Sequence, residues 1–266
     1  MKYALLLALL SATGCQRYRQ FIGIEGTDYR ATPPPAQETP GERVLTIGFT
    51  GQSNATSLAQ FCPLGYSRTG RVWVEDVYDD HGHGRFELVL PTREKPVKSN
   101  ISWLHLGDAL IESGKYDKVI ILNRGMPGWS STKIRGNAGW IREAQDKYGP
   151  VAWCWIQGES DYHDSIPTEV TYENMKEIIK AVGGRWFVAL NATWDESHVK
   201  PWLGTPERVI KAQRQIIEEG YALQGPDLMP LKLNPLYAED GGAEFIGEGL
   251  RKHGEAWLEV LIQAGL

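Results

Sequence analysis

The chain has 266 residues and a net charge of −5, from 28 Lys and Arg against 33 Asp and Glu, with no basic run. This length fits one α/β domain of ordinary size with a large core. The mixed charge argues against nucleic acid as the main partner.

The first residues have the pattern of a targeting signal. Lys2 precedes an apolar run over residues 3–10 that is too short to span a bilayer. Residues 12–15 (Ala-Thr-Gly-Cys) resemble a bacterial lipobox. Residues 1–15 are therefore predicted to be a lipoprotein signal peptide, with a diacylated Cys15 as the membrane anchor. The alternative is an ordinary signal peptide with an incidental cysteine.

The expected location is the cell envelope. Because Gln16, and not Asp, follows Cys15, delivery to the outer membrane is expected if the host is Gram-negative. Residues 16–42 contain Pro33-Pro34-Pro35 and Pro40, which favour an extended tether. The folded domain is predicted to span residues 43–266.

Strand and helix patterns alternate through that domain. Apolar runs typical of strands lie at residues 44–49, 71–77, 86–90, 118–123, 151–156 and 185–190, and helical patterns lie at 101–113, 139–148, 171–182, 205–220 and 247–263. Continuous apolar strands between amphipathic helices predict an α/β fold with a parallel sheet covered on both faces. We expect about five strands, with their carboxyl ends along one edge of the sheet.

Small or polar segments follow several of these strands. Ser53 comes just after the first strand and is the candidate nucleophile, because reactive groups of open α/β sheets collect at this edge. Further segments follow at residues 123–131, 157–161 and 191–193. The backbone N–H groups of Ser53 and Gly128 and the side-chain amide of Gln157 are suitable donors to an oxyanion. The alternative is that Ser53 only caps a helix.

Three of these segments resemble blocks of the SGNH hydrolase superfamily, in its sialate O-acetylesterase and carbohydrate esterase branch. The blocks are residues 51–54 (Gly-Gln-Ser-Asn), Gly128 in a Gly-Trp-Ser-Ser turn, and residues 155–161 (Trp-Ile-Gln-Gly-Glu-Ser-Asp), and the resemblance runs from about Arg43 to the C-terminus. It implies a three-layer flavodoxin-like fold and removal of O-acetyl groups from a sugar or polysaccharide, without a metal or other cofactor.

The resemblance also implies roles for individual residues. Ser53 would be the nucleophile, and its own N–H, the Gly128 N–H and the Gln157 side chain would form the oxyanion hole. Glu159 and Asp161 would hold their loop. The motif residues Gly51, Gln52, Asn54 and Gly158 complete the blocks.

One part of the family pattern is missing. The Asp-x-x-His motif before the final helix corresponds to residues 239–250, where alignment on Asp240 gives Ala243 and alignment on Phe245 gives Glu244 in place of histidine. A serine without a base is a poor nucleophile. Candidate bases are Glu244 and His198, which lies three residues after Asp195.

The missing histidine leaves a second function open. In this alternative hypothesis the chain is a catalytically impaired SGNH-fold lipoprotein that binds glycans or acts as a scaffold. His253 does not replace the missing base, because its place in the middle of a helix predicts a surface residue.

Other chemistry-bearing residues have ordinary explanations. His81 and His83 are expected at the tip of a polar hairpin, not in a metal site. Cys62 and Cys154 can pair, although free buried thiols are the favoured interpretation. Tryptophans at loops and strand ends, where flat ligands such as sugars can meet them, are Trp129, Trp155, Trp194 and Trp202, with core packing as the alternative.

Overall fold

The computed structural model describes residues 41–57, 64–78, 85–192, 206–238 and 244–266. Several sequence predictions concern residues outside these ranges: the signal peptide, Cys15 and nearly all of the tether, as well as Cys62, His81, His83, Trp194, His198, Trp202 and Asp240. Cys154 is a buried free cysteine, and burial raises the pKa of its thiol well above the usual value.

A seven-stranded sheet forms the centre of the fold, with the strand order β3-β2-β4-β1-β5-β6-β7. The strands are β1 (Val44–Gly51), β2 (Val72–Tyr78), β3 (Arg85–Val89), β4 (Lys118–Gly125), β5 (Ala152–Ile156), β6 (Trp186–Leu190) and β7 (Leu223–Asp227). Only β3 runs antiparallel to its neighbour. The predicted α/β class is confirmed, and the sheet is larger than the expected five strands.

Helices cover both faces of this sheet and complete three layers. They are α1 (Ser53–Thr56), α2 (Ile101–Glu112), α3 (Ser131–Gly136), α4 (Gly139–Tyr148), α5 (Glu159–His163), α6 (Thr168–Val182), α7 (Glu207–Glu218), α8 (Met229–Lys232) and α9 (Glu248–Gln263). Apolar residues of α2 and α9 pack on one face, and those of α3, α4, α6 and α7 pack on the other.

The structure corrects the prediction for His253. Its ring is fully buried, stacks on Phe245 at 4.5 Å between centroids, and places Nδ1 3.3 Å from Ser102 Oγ. Burial, with a contribution from Lys232, lowers its pKa well below the usual value. The surface prediction was wrong because His253 shares the helical stripe of Leu250 and Trp257, which faces the core.

A buried ion pair lies between β2 and β4. Arg124 Nη2 donates to Glu75 Oε1 over 2.8 Å, and the two side chains are 5% and 0% exposed. Burial raises the pKa of Glu75 from 4.5 to about 7, although the charge of Arg124 opposes this shift. The folded protein therefore takes up a proton at Glu75 more readily than the unfolded chain does.

This shift predicts a pH dependence of stability. Between pH 4.5 and 7 the folded state binds more protons at Glu75 than the unfolded state, so the contribution of Glu75 to the free energy of unfolding should fall by about 3 kcal/mol as the pH rises. Glu75→Gln should flatten this slope, because glutamine does not titrate and its side-chain oxygen can still accept the hydrogen bond from Arg124. Urea unfolding at several pH values measures the slope.

The exposed Glu177, which pairs with Arg135, offers a control because its carboxylate is largely in solvent. Glu177→Gln should keep the slope of the unmodified chain. A slope that is the same in Glu75→Gln as in the unmodified chain would contradict the prediction.

Candidate functional site

Ser53 lies where β1 gives way to the single turn of α1. Gln52, and not Ser53, occupies the N-cap position, and the Ser53 side chain is 6% exposed. Gly51 has a φ of +134°, and a Cβ there would lie 1.8 Å from the carbonyl oxygen of Ile156. We call residues 51–54, which contain the candidate nucleophile Ser53, the nucleophile turn. Only glycine at position 51 lets this segment pack directly on the end of β5.

Hydrogen bonds fasten the loops after β4 and β5 to the nucleophile turn. Met126 N donates to Gly51 O over 2.9 Å. Ser160 N donates to Gln52 Oε1 over 2.8 Å. The ends of β1, β4 and β5 therefore lie together, as predicted. Hydrogen bonds fix the backbone of the three segments that follow these strands relative to one another.

Glu159 is the centre of a buried polar cluster beneath this turn. Its Oε1 accepts hydrogen bonds from Asn54 Nδ2 at 2.5 Å and from Lys232 Nζ, while Oε2 accepts one from Asn191 Nδ2 at 3.0 Å. Glu159 is 2% exposed and Lys232 is 3% exposed. The cluster joins the first, fifth and sixth strand ends to α8.

Lys232 was not anticipated from the sequence. Lysine is rarely buried without a partner, and a single lysine in a short helix carries no pattern that predicts its burial. The signal exists only in three dimensions, where the carboxylate of Glu159 balances the charge of the ammonium group.

Asp161 and Gln213 fix the loop after β5 from the other side. Asp161 accepts hydrogen bonds from Ser131 N at 2.7 Å and Thr171 Oγ1 at 2.9 Å. Burial raises the pKa of Asp161, and these bonds oppose the shift. The Gln213 amide accepts a bond from Asn191 N and donates to the carbonyl oxygens of Gln157 and Asn191.

The side chain of Gln157 differs from those of Asp161 and Gln213, because its polar atoms make no hydrogen bond to the described residues. It is fully buried, and neither Nε2 nor Oε1 has a hydrogen-bond partner among the described residues. The amide lies near enough to the Asp161 carboxylate to contribute slightly to lowering its pKa, but outside hydrogen-bond geometry. A buried side-chain amide without a hydrogen-bond partner in the described part of the chain is unusual in a native protein.

Gly128 lies on the loop between β4 and α3. It is exposed and has a φ of +72°, and a Cβ placed there would meet nothing within 4 Å. The site therefore has an open rim at Gly128 and a buried amide at Gln157, with Ser53 at the end of the strand between their two strands.

Of the candidates for the base, only Glu244 lies within the described residues. Its side chain is half-buried, and the next residue, Phe245, donates its backbone N–H to Asn54 Oδ1 over 3.3 Å. The structure thus brings Glu244 to the nucleophile turn through its chain neighbour. His253 is bound to Ser102 inside the core and does not belong to this group.

The described residues contain no group of three or more His, Cys, Asp or Glu side chains that could hold a metal ion. Within the same ranges, no helix has the length and apolar character needed to cross a membrane.

No protein-family model matches the chain, and no curated protein sequence matches it. Solved structures do resemble it. The psychrotrophic esterase EstA from Pseudoalteromonas sp. has a TM-score of 0.53 and 11% identity, over 82% of this chain and 98% of its own. A variant of Axe2, an acetylxylan esterase from Geobacillus stearothermophilus, has a TM-score of 0.52 and 12% identity, over 84% and 93%.

The family 3 carbohydrate esterase from Clostridium thermocellum has a TM-score of 0.52 and 13% identity, over 84% of this chain and 97% of its own. These matches cover nearly the whole of each neighbour, while the identities are too low to carry an activity across. The chain therefore has the three-layer α/β fold that these esterases share.

Proposed function

We propose that the chain is a serine ester hydrolase that removes O-acetyl groups from carbohydrate, with Ser53 as its nucleophile. The observation that carries the proposal is the buried amide of Gln157, which has no hydrogen-bond partner among the described residues and directly follows Ile156, the residue paired with Gly51. The structural neighbours support the proposed substrate class, because two of those named are described as an acetylxylan esterase and a carbohydrate esterase.

The proposed reaction has two steps. Ser53 Oγ attacks the acetyl carbonyl carbon, and the negative oxygen that forms accepts hydrogen bonds from Gln157 Nε2 and from the N–H groups of Ser53 and Gly128. The ester C–O bond then breaks, which releases the sugar hydroxyl and leaves an acetyl group on Ser53. Water attacks this acyl-enzyme in the second step and releases acetate.

Glu244 is the proposed base for both steps. It stands where the resembling family has histidine, and the contact between Phe245 and Asn54 holds its segment against the nucleophile turn. Its carboxylate would take the proton from Ser53 and return it to the leaving oxygen. His198 is the other candidate base, and the variant His198→Ala should be assayed beside Glu244→Ala, together with Asp240→Ala because the corresponding stretch can be aligned on Asp240.

Acetate release from acetylated xylooligosaccharide tests the proposal. The unmodified chain should release acetate, and Ser53→Ala should reduce kcat by about 10³-fold or more, since removal of the nucleophile leaves only binding and the oxyanion donors. Ser113→Ala, at the end of α2, is a control that should keep full activity. Equal rates from the unmodified chain and from Ser53→Ala would refute the proposal.

The missing histidine favours a second candidate function. A chain that binds glycans but releases no acetate would be a glycan-binding or scaffolding protein that keeps the esterase fold. The same assay, combined with a binding measurement on the glycan, separates the two functions.

The proposed cellular location is the envelope. The lipobox-like residues 12–15 would give a lipid anchor at Cys15, and the proline-rich residues 16–42 would act as a spacer. An anchored esterase of this kind would act on acetylated glycan close to the membrane surface.

A further inference from the structure

Two tryptophans lie together beside Gly128. Trp129 follows Gly128 directly in the loop after β4, and Trp140 lies in the first turn of α4. Their ring centroids are 5.7 Å apart, with an angle of 33° between the planes. Both side chains are half-buried, so part of the pair faces solvent.

This exposure separates the pair from most of the described tryptophans. Five others are at most 1% exposed and belong to the core: Trp103, Trp153, Trp155, Trp186 and Trp257. The chain between Trp129 and Trp140 is polar and largely exposed, including Thr132, Lys133 and Arg135. An apolar aromatic surface inside a polar rim has the composition of a ligand site.

The pair is also fixed relative to the nucleophile turn. Trp129 N donates to Met126 O over 3.1 Å, and Met126 N donates to Gly51 O over 2.9 Å. The Trp129 ring packs against the core cluster beneath α3 and α4. A ligand that stacks on these rings therefore meets a surface that is already ordered, which reduces the entropy lost on binding.

We propose that Trp129 and Trp140 form a stacking surface for a pyranose ring of the glycan whose acetyl group is bound at Ser53. This inference rests on the proposed function. If the Gly128 N–H binds the carbonyl oxygen of the acetyl ester, the bound ester lies against Gly128, whose Cα is about 3.8 Å from that of its chain neighbour Trp129. The C–H groups on the face of a sugar ring carry partial positive charge, and the face of an indole ring is negative.

The kinetic test compares a large substrate with a small one. Trp129→Ala and Trp140→Ala should each raise KM for acetylated xylooligosaccharide about tenfold, corresponding to the loss of one stacking contact of about 1.4 kcal/mol. The ratio of kcat/KM for the oligosaccharide to kcat/KM for methyl acetate, which has no ring to stack on the indoles, should fall about tenfold. An unchanged KM for the oligosaccharide in both variants would overturn the inference.

Trp73 provides a matched control. It is a half-buried tryptophan in β2, with Lys118 Nζ 5.4 Å from its ring centroid near the start of β4, away from the nucleophile turn. Trp73→Ala removes a tryptophan side chain that is half-buried, like those of Trp129 and Trp140. Its KM for the oligosaccharide should equal that of the unmodified chain.

A binding measurement separates this inference from the proposed esterase activity. Calorimetry with deacetylated xylohexaose should show binding to the Ser53→Ala chain and about tenfold weaker binding when Trp140→Ala is added. If no variant releases acetate but this difference is found, the stacking surface stands and the esterase proposal fails. If acetate is released but xylohexaose binds equally to both chains, or to neither, the stacking surface is refuted.

Discussion

Replacing Lys232 with methionine is expected to lower the free energy of unfolding by about 3–5 kcal/mol. Glu159 is 2% exposed, and without Lys232 its carboxylate would keep the amides of Asn54 and Asn191 as its partners among the described residues. A buried carboxylate that has lost its cation is strongly destabilising because water cannot solvate it. Urea unfolding, followed by circular dichroism, measures the change.

Two further variants sharpen this test. The double variant Glu159→Gln with Lys232→Met removes both charges and should recover much of the lost stability. Arg142→Met breaks the exposed pair with Asp146 and should lower stability far less, because solvent screens this pair. A loss in Lys232→Met as small as the loss in Arg142→Met would show that Glu159 does not depend on its cation.

Gln157→Leu is expected to lower kcat by about 10²–10³-fold while leaving stability unchanged or slightly higher. The substitution removes a donor that the proposed reaction needs in its transition state. It also removes a buried amide whose two polar atoms have no partner among the described residues, so the folded state loses no hydrogen bond of that side chain. The two effects are measured by acetate release at saturating substrate and by urea unfolding.

Gln213 is the matched control for this variant, because it is also a fully buried glutamine. Its amide makes three hydrogen bonds to the backbone at Gln157 and Asn191. Gln213→Leu should therefore lower stability by roughly 2–4 kcal/mol, since each bond contributes about 1 kcal/mol and buried groups are left unpaired. If Gln157→Leu instead lowers stability and keeps kcat, Gln157 has a structural role only.

The strands that the sequence predicts best are those with continuous apolar runs. β1, β4, β5 and β6 are buried on both faces, so their patterns do not depend on which face a helix covers. β7 did not show such a run, because it holds Gly225 and Pro226 and lies at the edge of the sheet. The short helices α1, α3, α5 and α8 fall below the length at which periodicity is visible.

The sequence predicts which loops form the site, because this depends on the order of the strands. It does not predict which side chains are buried beneath the site, because this depends on packing. Parallel strands bring their carboxyl ends to one edge, so the meeting of the loops with Ser53, Gly128 and Gln157 followed from the strand pattern. The burial of Lys232 depends on its contact with Glu159, which lies far away in the sequence. No local pattern encodes such a pairing.

Gly51 and Gly158 lie so close to the backbone of the neighbouring strand ends that local motion at this edge of the sheet is restricted. A Cβ at Gly51 would lie 1.8 Å from Ile156 O, and one at Gly158 would lie 1.8 Å from Asn191 O. Three strand ends are thus in direct backbone contact, and none can move away without breaking the sheet around it. The amide protons of Gln52 and Ser160, which are bonded across the first of these contacts to Ile156 O and Gln52 Oε1, should exchange with deuterium only when the whole domain unfolds.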